Sequence, residues 1–258
     1  MNLQKIFSGK WRLAAAFVVF LALGACATPQ GGGQSAGVDE VNDPIEPLNR
    51  YIFEVNFFLD EMLIKPTTWW YRAAVPDPVQ HSISNALSNL RMPWTAINDV
   101  LQGEFDRAWI ATVRFLINST IGIAGLFDVA TDLGYPKHEE DAGQTFGAWG
   151  VGEGFYLVLP VLGPSSARDA VGTAADWFLD PVSLIAGNQN WGDGFNAGRA
   201  GTTGIDYRNQ TIEALDDLRK NSVDYYATIR SVYRQRRAAE IRNGAGAEDL
   251  PRPGLTRQ

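Results

Sequence analysis

Few residues in this chain have types that commonly carry chemistry, and none has a spacing that assembles a reaction centre. His81 and His138 lie in polar, turn-like stretches without a cysteine, carboxylate or second histidine at ligand spacing, so neither marks a metal site. No Gly-x-Ser-x-Gly elbow is present to expose a nucleophilic serine. Ser165 and Ser166 precede Asp169, but Gly163-Pro164-Ser165 before Ala167-Arg168-Asp169 reads as an N-cap opening a helix. Gly150-Val151-Gly152-Glu153-Gly154 has the glycines of a phosphate cradle. A dinucleotide fingerprint needs a strand before it and a helix after it, and here a strand follows. Glu139-Glu140-Asp141 reads as a solvated loop. The expectation is a protein that is not an enzyme and uses neither metal nor cofactor.

Cys26 is the one cysteine, and it ends the run Leu23-Gly24-Ala25-Cys26. Upstream, Lys5, Lys10 and Arg12 form a basic start, and Leu13 to Leu23 is apolar or small throughout. That is a secretory signal, too short for a spanning helix. A cysteine directly after Leu-Gly-Ala resembles the bacterial lipobox, whose thiol takes a diacylglycerol thioether and becomes the mature N-terminus. The alternative is an ordinary signal peptide with an incidental cysteine. On the first reading residues 1–25 are removed and Cys26 carries lipid. Each buried acyl methylene is worth ~0.8 kcal/mol and one chain alone binds marginally, so three chains make attachment close to permanent. Ala27 follows, where many such lipoproteins held at the inner membrane carry aspartate, and this favours the outer membrane.

Without residues 1–25 the chain has 19 basic and 29 acidic residues, a net charge of −10. An acidic body with no long basic run argues against nucleic acid and against polybasic docking to anionic lipid. With Cys26 lipidated no disulfide can form within the chain, and the fold must hold by packing. Aromatic residues make up 11% of the chain, high for one with so little β patterning; they serve either a core or a membrane–water boundary. No segment of the mature chain has about 18 uninterrupted apolar residues.

The elements read mostly as helices. Residues 26–41 form a flexible tether, 42–243 an ordered body and 244–258 a disordered tail. Pro47 opens a helix predicted to stop at about Ile64, before Pro66. On it, Leu48, Tyr51, Ile52, Val55, Phe58, Leu59, Met62 and Leu63 form a broad apolar arc, with Phe53, Phe57 and Ile64 on a narrower stripe nearly opposite. One stripe meets protein, and the other meets either a second protein layer or acyl chains. Trp69-Trp70-Tyr71 are three adjacent amphipathic rings suited to headgroup depth. Helices are predicted over Ser82 to Met92, from Pro93 to a stop at Gly103, over Glu104 to Asn118, and in one run from about Asn209 to Ile241. Between them, Gly143, Gly147, Gly150, Gly152 and Gly154 predict a tight, mobile turn or a close backbone approach, and Phe155 to Leu159 a strand.

Several of these motifs, taken in order, resemble the MlaA (VacJ) family of outer-membrane lipoproteins. They are Asn42-Asp43-Pro44-Ile45-Glu46-Pro47-Leu48-Asn49-Arg50 with Phe53 and Asn56; Gly143-Gln144-Thr145-Phe146-Gly147 leading through Trp149 and Gly152 to Tyr156-Leu157-Val158-Leu159-Pro160; Gly163-Pro164-Ser165 before Arg168-Asp169-Ala170-Val171-Gly172; Asp180-Pro181; and Asp224-Tyr225-Tyr226 through Tyr233 and Arg236-Arg237. The likeness spans roughly residues 42–243, with Phe155 and Ala167 as departures. It implies a mainly α fold, a ring of amphipathic helices with a short glycine-rich hairpin, lying in the inner leaflet of the outer membrane around a polar channel. It also implies docking to a trimeric porin and removal of stray phospholipid from the outer leaflet. The lipid would pass to a periplasmic MlaC-like carrier and on to an inner-membrane ABC transporter.

On that reading Asn49, Arg50, Gly147, Gly150, Gly152 and Gly154 are candidates for the phospholipid path, with Arg50 as a phosphate contact. The alternative for Arg50 is a helix pair with Glu46 or Glu54. Phe53, Phe57, Trp69, Trp70 and Tyr71 are candidates for the membrane interface. The other functional readings are a porin-docking lipoprotein that moves no lipid, and a hydrolase, which lacks a nucleophile–base pairing.

Overall fold

The computed structural model describes residues 42–243. Cys26, the signal segment, the tether and the tail lie outside the described residues. Helix α1 (Glu46–Leu59) carries Pro47 in its first turn, where the missing N–H is no loss. It does not stop before Pro66. A π-turn, Asp60–Ile64, joins it to α2 (Lys65–Ala74), with the Lys65 N–H reaching back to Asp60 O. Pro66 therefore falls in the first turn of α2, a position that needs no donor, and the chain stays helical through it.

The second predicted stop is also absent. Helix α3 (Asp77–Gln102) continues through Pro93 and ends at Gly103, whose φ of 83° makes it the left-handed closing residue. After a two-residue turn α4 (Phe105–Thr120) packs back against α3. The turns beyond it, with Gly125 at φ 90°, lead to α5 (Val129–Asp132), capped by Asp128. The short helix α6 (Ala142–Ala148), capped by Asp141, contains Gly143 and Gly147; these two belong to a helix, not to the glycine turn expected there.

Strands β1 (Tyr156–Leu159) and β2 (Gly163–Ser166) pair antiparallel with Tyr156 opposite Ser166. This is the expected hairpin, with Ser165 inside β2. Ser166 is the cap, accepting the Asp169 N–H at the start of α7 (Ala167–Leu179). Helix α8 (Pro181–Gly187) follows. The long closing helix is two: α9 (Gly192–Asn221) and α10 (Tyr225–Ile241). Ser222 is extended and the Asp224 side chain accepts the Ala227 N–H, so an N-cap restarts the helix where apolar spacing alone read straight through.

Two asparagines of α1, seven residues apart and on one face, fasten the hairpin. Asn49 donates to Tyr156 O at 3.0 Å and accepts the Val158 N–H at 2.9 Å, while Asn56 donates to Leu159 O and accepts the Val161 N–H. Each carboxamide acts as a short piece of strand and satisfies an edge that would otherwise be bare. Asn49 is 1% exposed and also binds Asp43. Asn49→Leu would strand a buried N–H and C=O, and should cost about 2–3 kcal/mol in denaturant unfolding. A loss below ~0.5 kcal/mol would show that the hairpin holds without this clamp.

Polarity in this body is turned inside out. Twelve buried residues are apolar and several of those are alanine, against nineteen buried polar or charged residues. Thirty-four large hydrophobic residues are exposed. Such a distribution is the reverse of a water-soluble core, and apolar surface on this scale marks contact with lipid or protein. Among the described residues no helix is long and apolar enough to cross a membrane.

Candidate functional site

Charge pairs hold the seams between helices. Arg230, Tyr233, Arg234 and Arg237 lie within two turns of α10. Arg230 meets Asp43 at 2.6 Å and Glu46 at 3.1 Å; Arg234 meets Glu153 at 2.6 Å. Tyr233 donates to Asp169. Arg237 grips Asp141 with two bonds, 2.7 and 2.6 Å, and reaches Asp169 at 3.2 Å, while Arg168 closes the other side of Asp169. Burial pushes the Asp141 and Asp169 carboxyls up, and the guanidinium bonds more than offset it, leaving both below their usual range. Glu139-Glu140-Asp141 is thus no solvated loop. Glu140 is buried and accepts from Arg107 at 2.6 Å and Gln102 at 2.9 Å, and Asp141 is both cap and ion-pair partner.

The residues expected along a lipid path are mostly structural in this arrangement. Asn49 is sealed under the hairpin. Arg50 donates to Glu46 at 2.7 Å and to both oxygens of Asp224 at 2.7 and 3.2 Å, with its guanidinium 4.4 Å from the Tyr226 ring centre. The Arg50–Glu46 pair, the alternative weighed from sequence, is therefore formed, and Arg50 ties α1 to the cap of α10. Arg50's bonds pull the Asp224 carboxyl down to about 2. A Cβ at Gly147 would meet Ile241 at 2.8 Å, so this glycine serves close packing. Gly150 (φ +86°) and Gly152 face open space, whereas Gly154, at φ +70°, lies against Ala167.

Of the alternatives open for the narrow stripe of α1, contact with protein is the one formed. Phe53 packs on Tyr225 and Tyr226, and Phe57 lies under the Arg219 guanidinium at 4.2 Å, so the narrow stripe faces protein. The broad arc faces out, with Tyr51, Phe58, Met62 and Leu63 all exposed. Tyrosine rings of α10 accept Phe53, and Phe57 covers a guanidinium face. Trp69 and Trp70 are exposed, and Tyr71 is half-buried with a buried hydroxyl that has no hydrogen-bond partner among the described residues.

Sequence reasoning missed the longest polar feature. Along α3, Gln80, Ser84, Ser88, Arg91, Thr95, Asn98 and Gln102 recur every three or four residues and fall on one face at ~100° per residue. Thr95, Asn98 and neighbouring Asp99 are fully buried, and Thr145, His138 and Arg107 meet this lower half. In the upper half Gln80 is buried, Ser84 and Ser88 are half-buried and Arg91 is exposed. There Asn209 donates to Gln80, Gln210 to Ser84, and Arg91 to Glu139. The signal was present as period 3.6 in polar residues, but a helix break placed at Pro93 cuts the stripe into two short, unconvincing pieces.

Asp176 of α7 ties three elements: its Oδ1 accepts Trp94 Nε1–H of α3 at 2.7 Å and the Ala142 N–H at 2.9 Å. Burial pushes its carboxyl up to about 6, and neighbouring Asp141 adds to the rise. A carboxyl raised on folding costs stability once pH exceeds its unfolded value of 3.8, and the full cost is present above about 6. Asp176→Asn keeps the accepting oxygen and removes that cost. It should raise stability at pH 8 by about 1–2 kcal/mol and change little at pH 4. Equal effects at both pH values in melting curves would refute this.

The coat of exposed apolar side chains and the charge-paired, polar-striped interior define a helical protein whose exterior is built to contact lipid or another protein. Comparison with known proteins agrees. Residues 41–240 match the family described as MlaA lipoprotein. The chain is 34% identical over 234 residues to the intermembrane phospholipid transport system lipoprotein MlaA of Escherichia coli, covering 88% of this chain and 87% of that protein. It is 26% identical to the Haemophilus influenzae protein of the same name over 93% of this chain and 95% of that one. An uncharacterized protein of Rickettsia conorii is 36% identical over 82% of each chain. A solved structure, described as the structural basis for maintenance of bacterial outer membrane lipid asymmetry, superposes with a TM-score of 0.68 at 33% identity. The superposition covers 77% of this chain and 98% of that one. The chain belongs to the MlaA lipoprotein family.

Proposed function

We propose that this chain is the outer-membrane lipoprotein of a phospholipid transport system: it takes stray phospholipid from the outer leaflet and passes it toward the periplasm, preserving lipid asymmetry. The observation that carries the reading is the α3 polar stripe enclosed in a body with an apolar exterior. A zwitterionic or anionic headgroup needs a polar track, and acyl chains need a low-dielectric flank. The exposed arc of α1, with Trp69 and Trp70, would rest in the inner leaflet, and lipid on Cys26 would hold the body there. The helices would ring a channel, with Gly150 and Gly152 as side-chain-free backbone beside it. A trimeric porin is the partner that would give access to the outer leaflet, and a soluble MlaC-like carrier would receive the lipid. No nucleotide chemistry or catalysis is needed for a passive conduit.

The test is outer-leaflet phospholipid in cells lacking the gene, restored with wild type or with Cys26→Ala. Accumulation that wild type reverses and Cys26→Ala does not is the expected result. No accumulation, together with altered porin trimers, would favour a docking lipoprotein that moves no lipid, the reading that the large apolar exterior would also suit.

A further inference from the structure

Between α3, α4 and the cap of α5 lies a small cleft lined by Ser88 and Asn89 of α3, Arg114 of α4, Asp128 and Lys137. Asn89 is 4% exposed and Arg114 2%. Most of their polar atoms are bonded within the protein. Arg114 Nη2 holds both oxygens of Asp128 at 2.8 Å, and Nη1 donates to Thr131 Oγ1 at 2.9 Å and to Tyr135 O. Asn89 donates to Ser119 Oγ at 2.9 Å. Among the described residues that leaves Arg114 Nε–H and Asn89 Oδ1 buried and without a partner. Two side chains of one cleft thus keep a donor and an acceptor open, where burial makes an unmade bond costly.

Size and charge identify the guest. The enclosed space is about 10 Å³, enough for one water-sized group and too little for a phosphate or carboxylate. No net charge is left to draw an ion. Asp128 neutralises Arg114, while Glu139, 3.9 Å from Lys137 Nζ, and Asp206 both act on Lys137. A bare cation has no lone pair for the Arg114 N–H, and a bare anion has no hydrogen for Asn89 Oδ1. Water supplies both.

We propose that this cleft is a binding site for one ordered water, which accepts from Arg114 Nε and donates to Asn89 Oδ1. Ser88, half-buried at its edge, offers a third partner. The water bolts α3 to α4 at the level where the α4–α5 turn closes on Asn89, an approach that Gly125 permits because a Cβ there would meet Asn89 Cβ at 2.6 Å. It also completes the bonding of Arg114, whose guanidinium then has no donor left for a headgroup passing Ser88. The inference needs only the fold and does not rest on the conduit reading.

A crystal structure of the chain purified in detergent, at a resolution that shows ordered water, tests it. A density peak about 2.7–3.2 Å from both Arg114 Nε and Asn89 Oδ1 is the expected result. No peak in the cleft, or Arg114 Nε bonded to a protein oxygen, overturns the proposal. An anomalous peak there from crystals soaked in bromide identifies a halide and overturns it as well. Asn89→Asp keeps an oxygen at this place and should keep the peak. Asn89→Leu has nearly the same shape and no acceptor, so it should lose the peak and raise the unfolding equilibrium constant in denaturant at least tenfold. A peak at full occupancy in Asn89→Leu would show that Asn89 does not hold the water, and overturns the assignment. Should that variant fail to fold, the wild-type density and Asn89→Asp decide.

Discussion

Arg237→Leu should unfold the chain about 3–5 kcal/mol more easily than wild type, the largest loss expected from any single charge. The guanidinium lies between Asp141 and Asp169, and its side chain is only 13% exposed. Removing one partner of a buried pair leaves uncompensated charge in a poor solvent, which costs far more than the pair contributes. Asp169 would keep Arg168 and Tyr233, whereas Asp141 would keep only the N–H groups of Gln144. The pH dependence separates this cause from lost packing. In wild type the lowered Asp141 carboxyl contributes stability above its unfolded pKa, and this is lost as pH falls through its folded value. In the variant burial is opposed only by the Gln144 N–H groups, so the contribution of Asp141 above its unfolded pKa is lost or reversed, and the gap between the two proteins should narrow toward pH 4. A gap of the same size at pH 4 and pH 8 in denaturant unfolding would assign the loss to packing instead.

Gly172→Val should cost more than 3 kcal/mol by a different route to the same node. A Cβ at Gly172 would lie 2.4 Å from Gly143 N and 2.5 Å from Gly143 Cα, where nothing but backbone can yield. At Gly143, in turn, a Cβ would meet Arg237 Nη2 at 2.5 Å and Asp169 Oδ1 at 2.7 Å. The two glycines let α6 and α7 approach closely enough for Arg237 to span both carboxylates. Overpacking here must part the helices and lengthen the ion pairs together. Combined with Arg237→Leu, the loss should therefore be well below the sum of the two single losses. Full additivity would show that glycine contact and ion pairs act independently. Gly152→Val is the control: it faces open space, and its stability should stay within about 0.5 kcal/mol of wild type.

Local features were legible in the sequence where one residue decides them. The Gly103 stop, the strand after Gly154 and the paired apolar faces of α1 all follow from backbone preference or period. Pro66 and Pro93 misled, because proline reads as a stop unless the register places it in a first turn or the surrounding packing tolerates it. The break at Ser222–Asp224 was hidden because capping competes with apolar spacing and wins only in context. Charge partners were the least legible. Asp141 and Arg237 are 96 residues apart and Arg50 and Asp224 are 174 apart, and no local pattern joins them. Which face of α1 meets protein also depended on distant groups, since Phe57 turns inward toward Arg219. The polar stripe of α3 was in the sequence throughout but could be seen only once Pro93 was known not to end the helix.

On the proposed function a phospholipid headgroup travels along that stripe. A photo-crosslinking residue placed at Ser84 or Ser88, and for comparison at Phe58, in cells whose lipids carry radiolabelled phosphate, tests it most directly. Complementing variants labelled at positions 84 and 88 by the headgroup, with position 58 capturing acyl chains, are the predicted result. Complementing variants that take phosphate label at 58 and none at 84 or 88 would contradict the account and place the lipid's route outside the helical body.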